Sequence, residues 1–226
     1  MSGRIQAVTL GNWQDIKPLV PEVGRVMYEA FGPDYWENSR YTPSEDAEFF
    51  LGERGYRLMF APSDKPENFD GISIYHPQLS DSEAANVAWL AVVPEMQRNG
   101  MGTSLYSQSK DKLRGENPGV AGIVFDMEDG RGSISIVRKQ GGFPVRDCYL
   151  PEGFPGGLAA GPASTSTKWW WDPLNPEFSK PDSAYLDRAV ASCLRAYYTR
   201  DDRRENAEIL RLNFQEGFPF STRLLR

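Results

Sequence analysis

Leu90-Ala91-Val92-Val93-Pro94-Glu95-Met96-Gln97-Arg98-Asn99-Gly100-Met101-Gly102 joins three signals in one stretch. It begins as an apolar run, halts at a proline, and then sets two glycines one residue apart. From Gly102 the spacing turns helical, through Thr103, Leu105 and Tyr106 to Leu113. A strand, a tight glycine turn and a helix N-terminus in that order form an anion site. Backbone N–H groups without intrahelical partners and the positive end of the helix dipole point at one spot. Glycine lets the backbone approach a ligand closely and take positive φ without a Cβ clash. Gly-x-Gly alone also occurs in ordinary strand-to-helix turns, so the flanking residues decide.

Leu90-Ala91-Val92, Pro94 and Gln97-Arg98-Asn99-Gly100-Met101-Gly102 together resemble motif A of the GCN5-related N-acetyltransferases (GNAT). That pattern is an apolar strand followed by Q/R-x-x-G-x-G/A, and every fixed position matches, with Gln97 in the first slot. The resemblance implies an α/β (α+β) mixed sheet of the GNAT acyl-CoA N-acyltransferase type. It implies acetyl-CoA as co-substrate, its phosphopantetheine lying along the strand edge at Ala91, Val92 and Val93. The pyrophosphate would sit on the N–H groups of Gln97, Arg98, Asn99, Gly100, Met101, Gly102 and Thr103. A backbone N–H of Val92 or Val93 would hold the oxyanion.

At 226 residues the chain is long enough for one sizeable core. With 40% apolar and 25% charged residues it has the make-up of a soluble domain. A net charge of −6 argues against a nucleic-acid partner, and long-range repulsion of CoA leaves its binding to local donors. Two cysteines, Cys148 and Cys193, form neither a disulfide framework nor metal-ligand spacing, so no metal is expected. No run reaches membrane-spanning length and the N-terminus lacks an apolar leader core, which makes a reducing cytoplasm the expected location.

Residues 4–10 alternate as a first strand, and Asn12 caps a helix running to Phe31 that Pro18 and Pro21 divide. Phe31 to Trp36 reads as an aromatic loop, and Thr42-Pro43-Ser44 opens another helix that closes near Gly55. Strands are expected at 56–61, 69–75, 86–93, 120–127, 143–150 and 166–171, with a helix through Ile134, Ile136 and Val137 before Gly141. Residues 151–165 form a flexible Gly/Pro-rich excursion. The acyltransferase domain is expected to span 1–174. Residues 175–226 then form a C-terminal helical extension, with Tyr185, Leu186, Val190, Leu194 and Tyr197 on one stripe. It packs on its own domain or serves as a dimerisation arm, leaving monomer and homodimer both open.

N-acyl transfer needs a held thioester, an uncharged amine and a way to handle two protons. Two departures from the GNAT pattern bear on this. The slot that often carries a glutamate base holds Asn86, which accepts no proton but could hold a water. The segment Val137-Arg138-Lys139-Gln140-Gly141-Gly142-Phe143 matches the family's second signature, with Arg138 where a tyrosine usually protonates the thiolate. Substitutes follow from spacing. Arg131, Ser135 and Arg138 lie one turn apart on a helix, so Ser135 faces the thiol or is a surface serine, and Arg138 stabilises the thiolate by charge. Asp126 and Glu128 share a strand face and act as base, amine anchor or turn caps. His76 is a proton shuttle or an ordinary loop histidine. Trp169-Trp170-Trp171 alternate in the core or, with Tyr35 and Trp36, wall an acceptor pocket.

The expected function is acetyl transfer to the amine of a small molecule. A CoA-binding sensor without turnover and a protein N-acetyltransferase are the alternatives.

Overall fold

The computed structural model describes residues 6–37, 39, 41–65, 67–79, 83–128, 132–147 and 167–198. Its frame is a seven-stranded sheet. In chain order the strands are β1 (Val8–Leu10), β2 (Arg57–Pro62), β3 (Phe69–His76), β4 (Ala84–Val92), β5 (Gly122–Glu128), β6 (Phe143–Asp147) and β7 (Thr167–Pro173). Across the sheet they run β1-β2-β3-β4-β5-β7-β6. All neighbours are antiparallel except β4 and β5, which are parallel.

The helices are α1 (Trp13–Ile16), α2 (Val20–Phe31), α3 (Pro33–Glu37), α4 (Pro43–Glu48), α5 (Met101–Glu116), α6 (Gly132–Lys139) and α7 (Ser183–Tyr198). Local chemistry explains their ends. Asn12 accepts the Gln14 amide at 3.0 Å and starts α1. Pro18 then lies in a 3₁₀ turn over Lys17–Leu19, and α2 resumes with Pro21 in its first turn. Thr42 and Glu45 close a capping box ahead of α4. The aromatic segment expected as a loop forms α3 instead, because Pro33 pre-sets the first helical turn and Trp36 buries on the core side.

One face of the sheet carries α2 to α4, built on Val23, Val26, Met27, Phe50, Ile72, Ile74 and Trp89. The other carries α5 and α6, built on Leu105, Tyr106, Leu113, Ile123, Phe125 and Val137. On the α2 side of β5, α7 packs Ala189, Val190, Cys193 and Leu194 against Val124, Trp169 and Trp171. The tryptophan run alternates as β geometry requires: Trp169 and Trp171 face α7, Trp170 faces α5, and all three are fully buried. They are core, not acceptor wall. A Cβ on Gly122 would collide with the Trp171 ring, so only glycine lets β7 carry that ring against β5.

No described helix is long and apolar enough to cross a membrane. The excursion at 151–165, Cys148, Arg131, the Tyr197 side chain and residues beyond 198 lie outside the described set.

Candidate active site

Strands β4 and β5 pair only at their beginnings, Ala84–Asn86 against Gly122–Val124. Beyond that rung β4 keeps β3 on one side, β5 keeps β7 on the other, and the two part. A bulge at Ala88 aids the parting, since Trp89 and Val87 face Ile74 and Tyr75 with one residue extra on β4. Asn86 fastens the fork. Its Nδ2 donates to the Val124 carbonyl at 2.7 Å and to Cys193 Sγ at 3.2 Å, and its Oδ1 accepts the Tyr56 hydroxyl at 2.9 Å. With 0% exposure and these three bonds, Asn86 is a structural clasp. The water expected on it has no room, because protein groups already take its amide.

At the open end of β4 a 3₁₀ turn, Pro94–Met96, leads into α5. Arg98 (φ 65°) and Gly100 (φ 82°) both sit in left-handed backbone, which curls the turn tightly. Among the described residues the amides from Arg98 to Thr103 have no acceptor, and the first bond of α5 runs from Ser104 N to Gly100 O at 2.9 Å. Among the described residues nothing lies within 4 Å of a Cβ placed on Gly100. Gly102 faces Ile136 of α6.

Two expectations change here. The Gln97 amide donates to Pro94 O at 3.2 Å and is not free, because the 3₁₀ turn uses it. The Gln97 side chain folds back instead, Nε2 donating to Val92 O at 3.0 Å. Met101 turns its side chain into the α5 core, and its N–H, the group named for it above, lies in the turn. Finally, Val93 N donates to Asp70 O at 3.0 Å, so Val93 faces β3 and offers no oxyanion donor. By alternation the amides of Leu90 and Val92 point into the fork. The side chains of Ala91 and Val93 are buried on the α2 face.

Asp126 lies on β5 two residues past Val124, half-buried, on the same face as Asn86 and Cys193. Desolvation pushes its carboxyl up to about 6. Burial likewise pushes the Tyr56 hydroxyl and the Cys193 thiol well above their usual values, so both stay protonated. The Glu128 backbone pairs with Thr167, but its side chain lies outside the described set. Ser135 donates to Gly132 O at 2.9 Å and is exposed, a hydroxyl spent on its own helix. Arg138 stacks its guanidinium over Trp170 at 5.4 Å, held by the ring rather than by another charge. His76 Nδ1 accepts the Gln78 amide at 3.3 Å, and burial lowers its pKa, as for a satisfied strand-end histidine.

One cluster has no counterpart in the sequence reading. Lys110 Nζ sits 2.7 and 2.8 Å from the Asp172 carboxylate oxygens and 3.1 Å from Gln140 O, while Tyr106 OH donates to Asp172 at 2.6 Å. All three side chains are essentially buried, and desolvation raises the Asp172 pKa despite Lys110. The cluster locks α5 to β7 and to the end of α6. Its signal was a lysine on the Tyr106–Leu113 stripe of an otherwise apolar helix face. Among the described residues no group of three or more His, Cys, Asp or Glu could hold a metal.

No family model and no curated protein matches the chain by sequence. Solved structures match by shape. An aminoglycoside 6′-acetyltransferase type Ii superposes with TM-score 0.55 at 13% identity, covering 75% of this chain and 98% of its own. A GNAT-family protein from Desulfovibrio desulfuricans gives 0.53 at 16%, covering 75% and 99%. The fold is that of the GNAT acetyltransferases. The NatC complex, solved with a Gag peptide and CoA, gives 0.52 at 14%, covering 75% and 99%. In this GNAT fold the strand fork and the glycine turn of α5 fall side by side.

Proposed function

We propose that this protein transfers the acetyl group of acetyl-CoA to the amine of a small molecule. The observation that carries the reading is the run of unpaired amides from Arg98 to Thr103, opening beside a length of β4 that has lost one neighbour. A diphosphate fits that turn: the donors converge, the helix dipole favours negative charge, and Gly100 leaves the approach clear. Residues 1–174 act as the catalytic unit and the helical extension as its cover, in a cytoplasmic protein.

Strand geometry sets the order of parts along the fork. A strand rises about 3.3 Å per residue, so Asp126 stands roughly 7 Å above the last shared rung. Discounting the bulge residue, Leu90 stands roughly 10 Å above it and Val92 roughly 17 Å. Leu90 N–H, nearly level with Asp126, is therefore the donor for the thioester oxygen. Val92 N–H, closer to the glycine turn, suits a pantetheine carbonyl.

In this scheme Asp126, ionised above about pH 6, takes a proton from the bound ammonium group. The freed lone pair attacks the thioester carbonyl carbon, forming the C–N bond while the oxyanion develops against Leu90 N–H. Collapse breaks the C–S bond, and the second amine proton goes to the departing sulfur.

A second reading, CoA binding without turnover, draws on Asn86, whose bonds leave no base at the usual place. Calorimetry with acetyl-CoA and a thiol-release assay across a broad amine panel separate the two. Binding with release supports the enzyme. Binding without release supports the sensor, and no binding removes both.

A further inference from the structure

Lys110, Asp172 and Tyr106 set two charges and a hydroxyl between α5 and β7, at 2%, 0% and 1% exposure. Their bonds are complete: the Lys110 ammonium holds both Asp172 oxygens and Gln140 O, and the Tyr106 hydroxyl adds a fourth bond. A buried pair of this kind adds little stability over apolar side chains of the same volume, whereas its directional bonds admit one register. The apolar contacts beside it, at Leu105, Leu113 and Val137, are non-directional and set no such limit. The register it sets is that of α6. Lys110 bonds the residue that ends this helix, and Gln140 N in turn donates to Ile136 O at 3.2 Å. Ile136 Cδ1 would stand 3.1 Å from a Cβ on Gly102, in the first turn of α5. A relay thus runs from the ion pair through the last turn of α6 to the helix start at the glycine turn. Contact at the mooring is close, since a Cβ on Gly142 would collide with Val137 and lie 3.3 Å from Asp172 Cβ. Two residues before Asp172 on the same face of β7, Trp170 carries the Arg138 guanidinium, so α6 is tied to β7 at two points.

We infer that Lys110 and Asp172, braced by Tyr106, are positioning residues of the acetyl-CoA cleft, holding α6 at a fixed place against the α5 turn; this rests on the acetyl-CoA reading above. They touch no cofactor and act through α6 alone. The turn amides belong to α5 and keep their places without the ion pair. The opposing wall at Ile136 is set by it through Gln140. Acetyl-CoA, which meets turn and wall together, feels the loss of that setting, whereas inorganic pyrophosphate occupies the turn alone and does not.

The test uses Tyr106→Phe/Lys110→Met/Asp172→Leu, which clears the polar side chains from the site at nearly constant volume, and calorimetry with two ligands. Acetyl-CoA is expected to bind the triple variant at least tenfold more weakly than the wild type, with pyrophosphate affinity held within about twofold. In turnover with an amine the wild type accepts, the KM for acetyl-CoA is expected to rise by a similar factor while kcat changes less than about threefold. A pair that only stabilised the fold would move the melting temperature and neither of these ratios. Should the triple variant not fold, hydrogen exchange in the wild type decides. The amides from Ile136 to Gln140 are expected to exchange within about a hundredfold of those of β7, as for a helix moored to the sheet. An acetyl-CoA loss below tenfold, pyrophosphate weakened alongside it, or faster exchange at the end of α6 overturns this inference and leaves the cofactor site standing. A wild type that binds no acetyl-CoA overturns both.

Discussion

At Asp126 the folded chain holds a carboxyl whose pKa burial moves from 3.8 to about 6. Between those values the folded state binds more protons than the unfolded one, so stability from this group is complete below about pH 4 and is lost as pH rises through about 6. Asp126→Asn should therefore raise the thermal midpoint at pH 8 and leave it nearly unchanged at pH 4. On catalysis the signs reverse. The base works only when ionised, so kcat/KM should climb through about pH 6, and Asp126→Asn should lower kcat by roughly 10²-fold or more with acetyl-CoA affinity retained. A wild-type rate in that variant would remove Asp126 from the mechanism. Gly100 allows a cleaner separation of fold from ligand. Gly100→Ala places a Cβ in open space but at φ 82°, costing on the order of 1–2 kcal/mol in denaturant titration. Gly100→Glu should bear a similar folding cost and abolish acetyl-CoA binding by calorimetry, its charge filling the anion space.

The elements divide by how their information is stored. The α1 cap at Asn12, the α4 capping box at Thr42 and the alternation of Trp169 to Trp171 are local patterns, and each is legible from neighbouring residues. The glycine turn is legible for the same reason: Gly100 takes its left-handed backbone at no steric cost, as a turn between strand and helix asks. Asn86 is different, since its three partners lie 30, 38 and 107 residues away. Only the folded sheet shows that it clasps strands rather than holding water. Val93 drops out as a donor, and Leu90 joins Val92 with its amide toward the fork, because a bulge and a register, neither visible in composition, fix which amides face it. The buried pair joining α5 to β7 also depends on distant contacts, and it makes a sharp prediction. Lys110→Met strands the Asp172 charge and should cost about 3–5 kcal/mol in urea titration. Adding Asp172→Leu should recover part of that loss, although Tyr106 then loses its acceptor.

For the molecule as a whole, α7 belongs to the same core as the fork. Its Cys193 is fully buried against Asn86, so the thiol reports on global opening. In a Cys148→Ser background, Cys193 should resist a thiol reagent until denaturant unfolds the chain, with labelling following loss of tryptophan fluorescence. Labelling in native buffer would mean that α7 leaves the sheet independently.

The single side-chain rung between β4 and β5 acts like the rivet of a pair of shears. Side chains along the two arms can change size, but the crotch itself cannot migrate by less than one residue, about 3.3 Å. Displacements of even 1 Å can cost a reaction 10²-fold. If the proposed transfer holds, new acceptors would be reached by recarving the blades, while the pivot, pinned by Asn86 on Val124, stays where it is.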